Sequence, residues 1–265
     1  MHDDPSTPTP LPRFYCPSLP PPPAAGTRLP DAPLPLDDDQ ARHARRVLRL
    51  RDGDGVELFN GQGLVARGEL CAGTGPAAGP RDQTAWVALA QVLQTERPRP
   101  AIDLAVAFPK GPRADDLVEQ LSQAGVDELI PLHTRRGVVL PGAGKLARLQ
   151  RAAVESAKQC GRNFLMTVAQ PQRLDQVLAQ GHDVRVLADP RPAGPQSGHM
   201  RPELFQSAAR VLVLIGPEGG WAPEELGAAD AALCARWVLG PHVMRIETAA
   251  LAAGILVRYL AGARG

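Results

Sequence analysis

Two glycine-bearing segments near the C-terminus hold the residues best suited to ligand chemistry: Leu214-Ile215-Gly216-Pro217-Glu218-Gly219-Gly220 and Leu239-Gly240-Pro241-His242-Val243-Met244-Arg245-Ile246-Glu247-Thr248-Ala249. Each follows an apolar run that reads as a buried strand, Val211 to Ile215 and Trp237 to Leu239, and each leads into a helical pattern. In α/β sheets ligands bind beyond the carboxyl ends of strands. Glycine in such a place permits positive φ and a close approach of main chain to ligand. Two such loops at one sheet edge make a cleft lined by main-chain donors and acceptors, which suits a polar, neutral heterocycle. Ordinary β–α turns use glycine too, and local pattern alone leaves both readings open.

These are not the common nucleotide loops. No Gly-x-Gly-x-x-Gly occurs, and Gly61-Gln62-Gly63 lies in a hairpin pattern. Gly144-Lys145 lacks the earlier glycine, where Val139 stands, and the following Ser or Thr, where Leu146 stands. Dinucleotide-binding and P-loop classes are therefore disfavoured.

The elements that must position the two loops follow from periodicity. From Ile102 onward, apolar strands alternate with amphipathic helices. Ile102 to Phe108 is followed by Asp115 to Ala124, with Leu117, Val118, Leu121 and Ala124 on one face and Gly125 as the stop. After the Glu128 to Leu132 strand, a helix over Lys145 to Cys160 ends at Gly161. Val184 to Ala188, Val211 to Ile215 and Arg236 to Leu239 are the later strands, and Pro223-Glu224-Glu225 opens a helix with proline and acids in its first turn. The apolar Thr248 to Leu260 is the final helix. This alternation predicts a parallel sheet with helices on its faces.

Residues 36 to about 97 read differently, as a small β domain. Asp37-Asp38-Asp39 caps a short helix carrying His43, Arg46 and Val47. Val56 to Phe59, Asn60-Gly61 and Leu64 to Ala66 form a hairpin pattern. Gly73 to Pro80 reads as a loop, Trp86 to Ala90 as a strand, and Arg97-Pro98-Arg99-Pro100 as a stiff linker. Arg13-Phe14-Tyr15 reads as the first ordered strand. The first 35 residues hold 12 of the 28 prolines, and residues 1–12 are expected to be a disordered tail.

Composition narrows the classes. The 265 residues, 44% of them hydrophobic, suffice for one large or two modest domains. A net charge of +1 means that nucleic-acid binding must come from local patches. Arg42, Arg45, Arg46, Arg49 and Arg51 form such a patch, with no acid between them. A solvated helix face is the alternative reading of that run. The four cysteines, at 16, 71, 160 and 234, show no metal spacing and read as reduced cytosolic thiols. No apolar run reaches the ~20 residues of a membrane helix. His133, Arg135 and Arg136 follow a strand, where they read equally as an RNA contact or as a polar loop.

Taken in order, five motifs resemble the RsmE-type 16S ribosomal RNA uridine-N3 methyltransferases of the SPOUT superfamily. They are His43-Ala44-Arg45-Arg46-Val47-Leu48-Arg49, Leu58-Phe59-Asn60-Gly61, Lys158-Gln159-Cys160-Gly161-Arg162, Gly216 to Gly220, and Leu239 to Ala250. The resemblance covers nearly the whole chain after the first dozen residues. It implies an α/β fold: a PUA-like β-barrel domain over 13–97 and a SPOUT domain over 98–265 with a parallel sheet and a trefoil knot. It implies S-adenosylmethionine as cofactor, with Leu214, Ile215, Gly216, Pro217, Gly220, Leu239, Gly240, Val243 and Met244 in the cofactor site. RNA contacts would come from Arg42, His43, Arg45, Arg46, Arg49 and Arg136.

Arg162, Arg245 and Glu247 are the catalytic candidates, each of which also reads as a structural ion pair or helix cap. Methylation at N3 must remove a weakly acidic proton, and a fixed cation near the uracil carbonyls stabilises the resulting anion. The residue that takes the proton stays open between Glu247, a phosphate and water. The expected partners are ribosomal RNA in the small subunit and a second copy of the chain, in the cytoplasm, with no metal and no membrane. The chain departs from the family pattern at Gln120 and Gln123, where Lys and Glu are usual, and at His242 and Ile246, where Arg and Thr are usual. Those changes leave two alternatives: a SPOUT enzyme acting on another RNA or atom, and an inactive RNA-binding homologue.

Overall fold

The computed structural model describes residues 10–24, 29, 32–72, 85–190 and 202–262. Most of the proline-rich tail and the loop expected over 73–80 lie outside these residues. Two compact units divide the chain, Met1–Arg97 and Pro98–Gly265.

The first unit is a curled, mixed five-stranded sheet. Its strands are β1 (Arg13–Tyr15), β2 (Leu34–Pro35), β3 (Gly55–Phe59), β4 (Leu64–Cys71) and β5 (Trp86–Gln94), in the order β1-β3-β4-β5-β2. β1 and β3 pair in parallel, and the pairs β2–β5, β3–β4 and β4–β5 are antiparallel. Phe14, Val56, Leu58, Leu70 and Val87 fill the core beneath them. Helix α1 (Asp38–Arg42) starts where the acids predict, with Asp37 accepting the Gln40 amide at 2.8 Å. The buried Gln40 side chain then pairs with both main-chain groups of Tyr15, at 2.7 and 2.6 Å, which fixes the helix against β1. Beyond α1 the chain widens into a π-helical turn, His43–Val47. Such turns are rare and cluster at functional sites.

The β3–β4 connection is longer than a two-residue turn. Asn60 Oδ1 accepts from the amides of Gln62 and Leu64, at 2.8 and 3.0 Å, while Gly61 and Gly63 take φ of 74° and 98°. Gly68 stands at a register shift between β4 and β5. A Cβ there would lie 2.2 Å from the Ala88 carbonyl oxygen, so only glycine fits.

The second unit is a seven-stranded sheet, parallel throughout. It comprises β6 (Ala101–Ala107), β7 (Glu128–His133), β8 (Thr167–Val168), β9 (Gln172–Arg173), β10 (Val184–Ala188), β11 (Arg210–Ile215) and β12 (Ala235–Trp237). The order is β12-β10-β11-β6-β7-β8, with β9 also on β7. Alternation sorts the side chains between two cores. Ile102, Leu104, Val106, Val211, Val213 and Ile215 face α2 (Arg113–Gln123), α3 (Ala143–Cys160), α5 (Pro202–Gln206) and α7 (Ile246–Leu260). Ala105, Leu212 and Leu214 face α4 (Leu174–Leu178) and α6 (Pro223–Ala231). Helix α3 stops at Gly161, whose φ of 78° is the left-handed cap.

One expected strand is shorter than its apolar run. β12 ends at Trp237, and Val238 is 44% exposed. The last contact of that edge is the Asp189 amide on the Trp237 carbonyl, at 3.0 Å. β10 itself ends at Ala188, so Val238 has no strand residue beside it to pair with.

Ion pairs seal the amino-terminal edge of this sheet. Asp127, just before β7, accepts from the Ile102 amide at 2.9 Å, from Arg258 at 3.0 Å and from Arg162 at 3.3 Å. Arg258 also donates to the carbonyls of Pro100 and Gly125, holding the end of α7 to the start of β6. Beside them Asp103 pairs with His182 and Arg210, at 2.9 and 2.7 Å. Burial, with the Asp103 charge next to it, pushes the Glu128 carboxyl above the usual range. Asp127→Ala would remove the carboxylate that Arg162 and Arg258 share. Breaking a buried pair costs about 3–5 kcal/mol. The variant is expected to lose stability of that order in urea titration, with an unchanged m-value.

Candidate functional site

At the opposite edge the sheet is open. The carboxyl ends of β10, β11 and β12 enclose a cavity of about 370 Å³. Register places Ala188 beside both Ile215 and Trp237, so three segments leave the sheet at one level. They are the chain after Ala188, the loop Gly216 to Trp221, and the irregular segment Val238 to Arg245. Ile246 and Ala249, in the first turn of α7, close the remaining side. Helix α7 packs back on β6 and β11, while β12 lies at the sheet edge. The segment between them must therefore cross the end of the sheet, which makes it a wall of the cavity.

Ile215, Gly216, Pro217, Gly220, Leu239, Gly240, Val243 and Met244 all line this cavity. Leu214 does not. Period-two alternation turns its side chain into the other core, with Leu187 and Leu212. Among the lining residues that the sequence reading did not single out are Asp189, Glu218 and Trp221. Asp189 immediately follows β10, a position that the rule for sheet edges marks directly. Glu218 sits inside the first motif. Trp221 follows its paired glycines and shapes the loop. Its indole N–H donates to the Ala188 carbonyl at 3.0 Å, and its ring covers Gly216. A Cβ on Gly216 would lie 2.7 Å from that ring. Gly220 has a φ of 73°, in the left-handed region. Gly240 is less constrained, because a Cβ there meets only the mobile methyl end of Met244, at 2.7 Å.

Charged groups gather beside the cavity. Arg113 opens α2, and its Nη1 lies 3.7 Å from both Glu218 and Glu247. No sequence motif joins these three: packing of α2 against α7 brings Arg113 to Glu247, and the loop after β11 brings Glu218 to it. Glu247 sits in the first turn of α7, where the helix dipole favours a carboxylate. Its Oε2 is buried and has no hydrogen-bond partner among the described residues. Arg245 is the N-cap residue of α7 and is exposed, as is His242. Arg236 is buried and committed to Asp230, at 2.8 Å, and to the cavity residue Asp189, at 3.4 Å.

Arg162 is not near this site. It belongs to the Asp127 network at the amino-terminal edge and also donates to the carbonyls of Phe164 and Ser122. Its place at the end of α3 makes it a structural cation. Gln120 and Gln123 lie on α2, and Gln123 donates to Glu119 one turn earlier, at 3.2 Å.

The arginine run of the first unit divides in two. Arg45 is held by the Leu50 carbonyl at 3.2 Å, by Asp52 and by the Cys71 carbonyl at 3.5 Å. Arg42 pairs with Asp39 at 3.1 Å. Arg46 and Arg49 are exposed, Arg49 with a φ of 57°, and His43 is half-buried. In the second unit the Arg136 guanidinium donates to the carbonyls of Gly219 and Trp221, at 2.8 and 3.3 Å. Among the described residues no cluster of His, Cys, Asp or Glu could hold a metal ion. Among them, too, no helix is long and apolar enough to cross a membrane.

Comparison with known proteins agrees with this architecture. Residues 95–258 match the RNA methyltransferase domain family, and residues 36–72 match the RNA methyltransferase PUA domain. Ribosomal RNA small subunit methyltransferase E of Synechocystis sp. is 33% identical over 224 residues, which covers 83% of this chain and 70% of that protein. The protein of the same name from Mycobacterium bovis is 30% identical over 233 residues, covering 82% and 83%. The crystal structure of ribosomal RNA small subunit methyltransferase E from Neisseria gonorrhoeae, bound to S-adenosyl methionine, matches with a TM-score of 0.77 at 25% identity. That match covers 94% of this chain and 98% of the other. On its two domains and on this identity across most of its length, the chain belongs to the ribosomal RNA small subunit methyltransferase E family of RNA methyltransferases.

Proposed function

We propose that the chain transfers a methyl group from S-adenosylmethionine to N3 of a uridine in 16S ribosomal RNA of the small subunit, in the cytoplasm. The observation that carries this reading is the cavity at the carboxyl ends of β10, β11 and β12, in a chain of this family. Its volume lies within the range of small-molecule sites. The donor set suits the cofactor. Gly216, Gly220 and Gly240 bring main chain to the ligand, while Trp237, Leu239, Met244 and Ile246 offer an apolar wall to an adenine. Asp189 and Glu218 supply carboxylates suited to ribose hydroxyls and an ammonium group. When bound, S-adenosylmethionine supplies an electrophilic methyl group on a sulfonium.

The chain's own residues supply the rest. Glu247 is the group we assign to receive the N3 proton, because its Oε2 is buried without a hydrogen-bond partner among the described residues and it stands next to the cavity residue Ile246 in the first turn of α7. Arg113 holds that carboxylate in place and shares its charge with Glu218. Arg245, at the exposed helix cap, is the fixed cation for the uracil carbonyls. Arg46 and Arg49, with His43 beside them, present the first unit to RNA phosphate. A homodimer and a trefoil-knotted crossing between β12 and α7 belong to the same reading. Tyr259, 78% exposed, and Ile255 on α7 and Val243, 78% exposed, on the crossing segment leave apolar surface for a second copy.

The reading is tested on ribosomal RNA. Mass mapping of 16S RNA from a deletion strain should show one methyl group missing from a uridine base. The purified protein and S-adenosylmethionine should restore it as 3-methyluridine, and Glu247→Gln should not. A full complement of uridine methylation in the deletion strain would refute the assignment.

The two glycines differ in a measurable way. Gly216→Ala must displace the Trp221 ring, which is anchored on Ala188, whereas Gly240→Ala displaces only a methionine methyl. Calorimetry should show S-adenosylmethionine affinity falling at least tenfold, about 1.4 kcal/mol, in Gly216→Ala and by less than threefold in Gly240→Ala.

The RNA surface gives another contrast. Arg49→Ala should lower the salt slope of RNA binding by about 1. Arg45→Ala should leave that slope alone and reduce thermal stability instead, because Arg45 ties the π-helical turn to Leu50, Asp52 and Cys71.

A further inference from the structure

Arg136 lies in the segment after β7, far in sequence from the loop that follows β11, yet it holds that loop at two points. Nη1 donates to the Gly219 carbonyl at 2.8 Å and to the Trp221 carbonyl at 3.3 Å. These carbonyls flank Gly220. The neighbouring Arg135 amide donates to Glu225 Oε1 at 2.7 Å, and Glu225 Oε2 accepts the Ala222 amide at 2.8 Å. A peptide unit is planar, so its C=O and N–H orientations are set together. The 219–220 peptide has its oxygen on Arg136 and its N–H on the Pro217 carbonyl, at 2.8 Å. The 221–222 peptide has its oxygen on Arg136 and its N–H on Glu225. Both planes are thus held at both ends. Trp221, whose indole covers Gly216 and reaches Ala188, is suspended between them.

We propose that Arg136 is a positioning residue for the ligand loop Gly216 to Trp221, setting affinity for the cofactor through two main-chain carbonyls rather than by contact with RNA. The proposal rests on the reading of the cavity as the S-adenosylmethionine site. Its energetic basis is a charge-assisted hydrogen bond, stronger than a neutral one. Without it the two peptide planes are held by their N–H ends alone. They then sample orientations in which the Trp221 ring no longer packs on Gly216. Lysine can replace one of the two bonds with its point charge, while glutamine supplies a neutral donor.

The test uses the full-length protein with Arg136→Ala, Arg136→Lys and Arg136→Gln, each checked by thermal melting for folding. Hydrogen exchange of the ligand-free protein reads the loop directly. Amides over 216–222 should exchange at least tenfold faster in Arg136→Ala, with Arg136→Lys in between. Calorimetry should show S-adenosylmethionine binding weakened about tenfold, the worth of one such bond. In turnover, KM for the cofactor should rise while kcat at saturating cofactor, KM for RNA and the salt slope of RNA binding hold. Unchanged exchange in Arg136→Ala would overturn the proposal. So would a lowered RNA salt slope with cofactor affinity intact, which would make Arg136 an RNA contact. If the unaltered protein binds no S-adenosylmethionine, the cavity assignment fails, while the exchange data still decide whether Arg136 holds the loop.

Discussion

All three walls of the cavity depend on one register. Ala188 of β10 lies beside Ile215 of β11 on one side and beside Trp237 of β12 on the other. Parallel strands deliver their carboxyl ends to the same edge, so the chain leaves the sheet three times at one level. β10 ends at Ala188, so its pairing with β12 stops at that level and Val238 leaves the sheet to cross its end. The indole of Trp221 then bonds the Ala188 carbonyl, linking the wall after β11 to the end of β10. Glycine at 216 is a consequence, because the ring occupies the place of its side chain.

The two edges of the sheet have opposite character, and that polarity locates function. At the amino-terminal edge Asp127 and Asp103 gather arginines, a histidine and a main-chain amide into ion-paired networks. At the carboxyl edge glycine loops leave an open space, with Asp189 and Glu218 on its wall. Arg162 shows why residue type alone misleads. It sits in one of the segments that carry the sequence resemblance, yet its guanidinium bonds Asp127 and two carbonyls at the amino-terminal edge. Arg113 is the converse case. It lies outside the quoted motifs, and tertiary packing brings it to Glu247 of α7 and to Glu218 of the loop after β11.

The same distinction applies to the arginines of the first unit. Five of them fall within ten residues, and by sequence they are equivalent. Widening of the helix at His43–Val47 turns Arg45 back towards Leu50, Asp52 and Cys71 and leaves Arg46 and Arg49 outward. Charge count set the number of candidate phosphate contacts, and local backbone geometry selected among them.

Periodicity in the chain determined most of the second unit: the parallel sheet, the helices α2, α3, α6 and α7, and the two loops that line the cavity. Those signals are local. Apolar alternation, a Pro-Glu-Glu helix start and a glycine stop act within a few residues of where they stand. The ends of elements were less legible. Trp237 to Leu239 reads as one apolar run, but pairing ends at Trp237, because a strand lasts only as long as its neighbour offers hydrogen bonds. Leu214 reads as part of the glycine motif, but strand alternation points it into the core. Tertiary structure alone decided which charges are free. Whether an arginine contacts a carboxylate, as Arg113 does, a carbonyl, as Arg136 does, or solvent, as Arg49 does, depends on residues far away in the chain, 158 positions away where Arg258 meets Pro100. No pattern along the chain encodes those meetings, since they arise when helices and loops pack on a sheet whose strand order differs from their order in sequence.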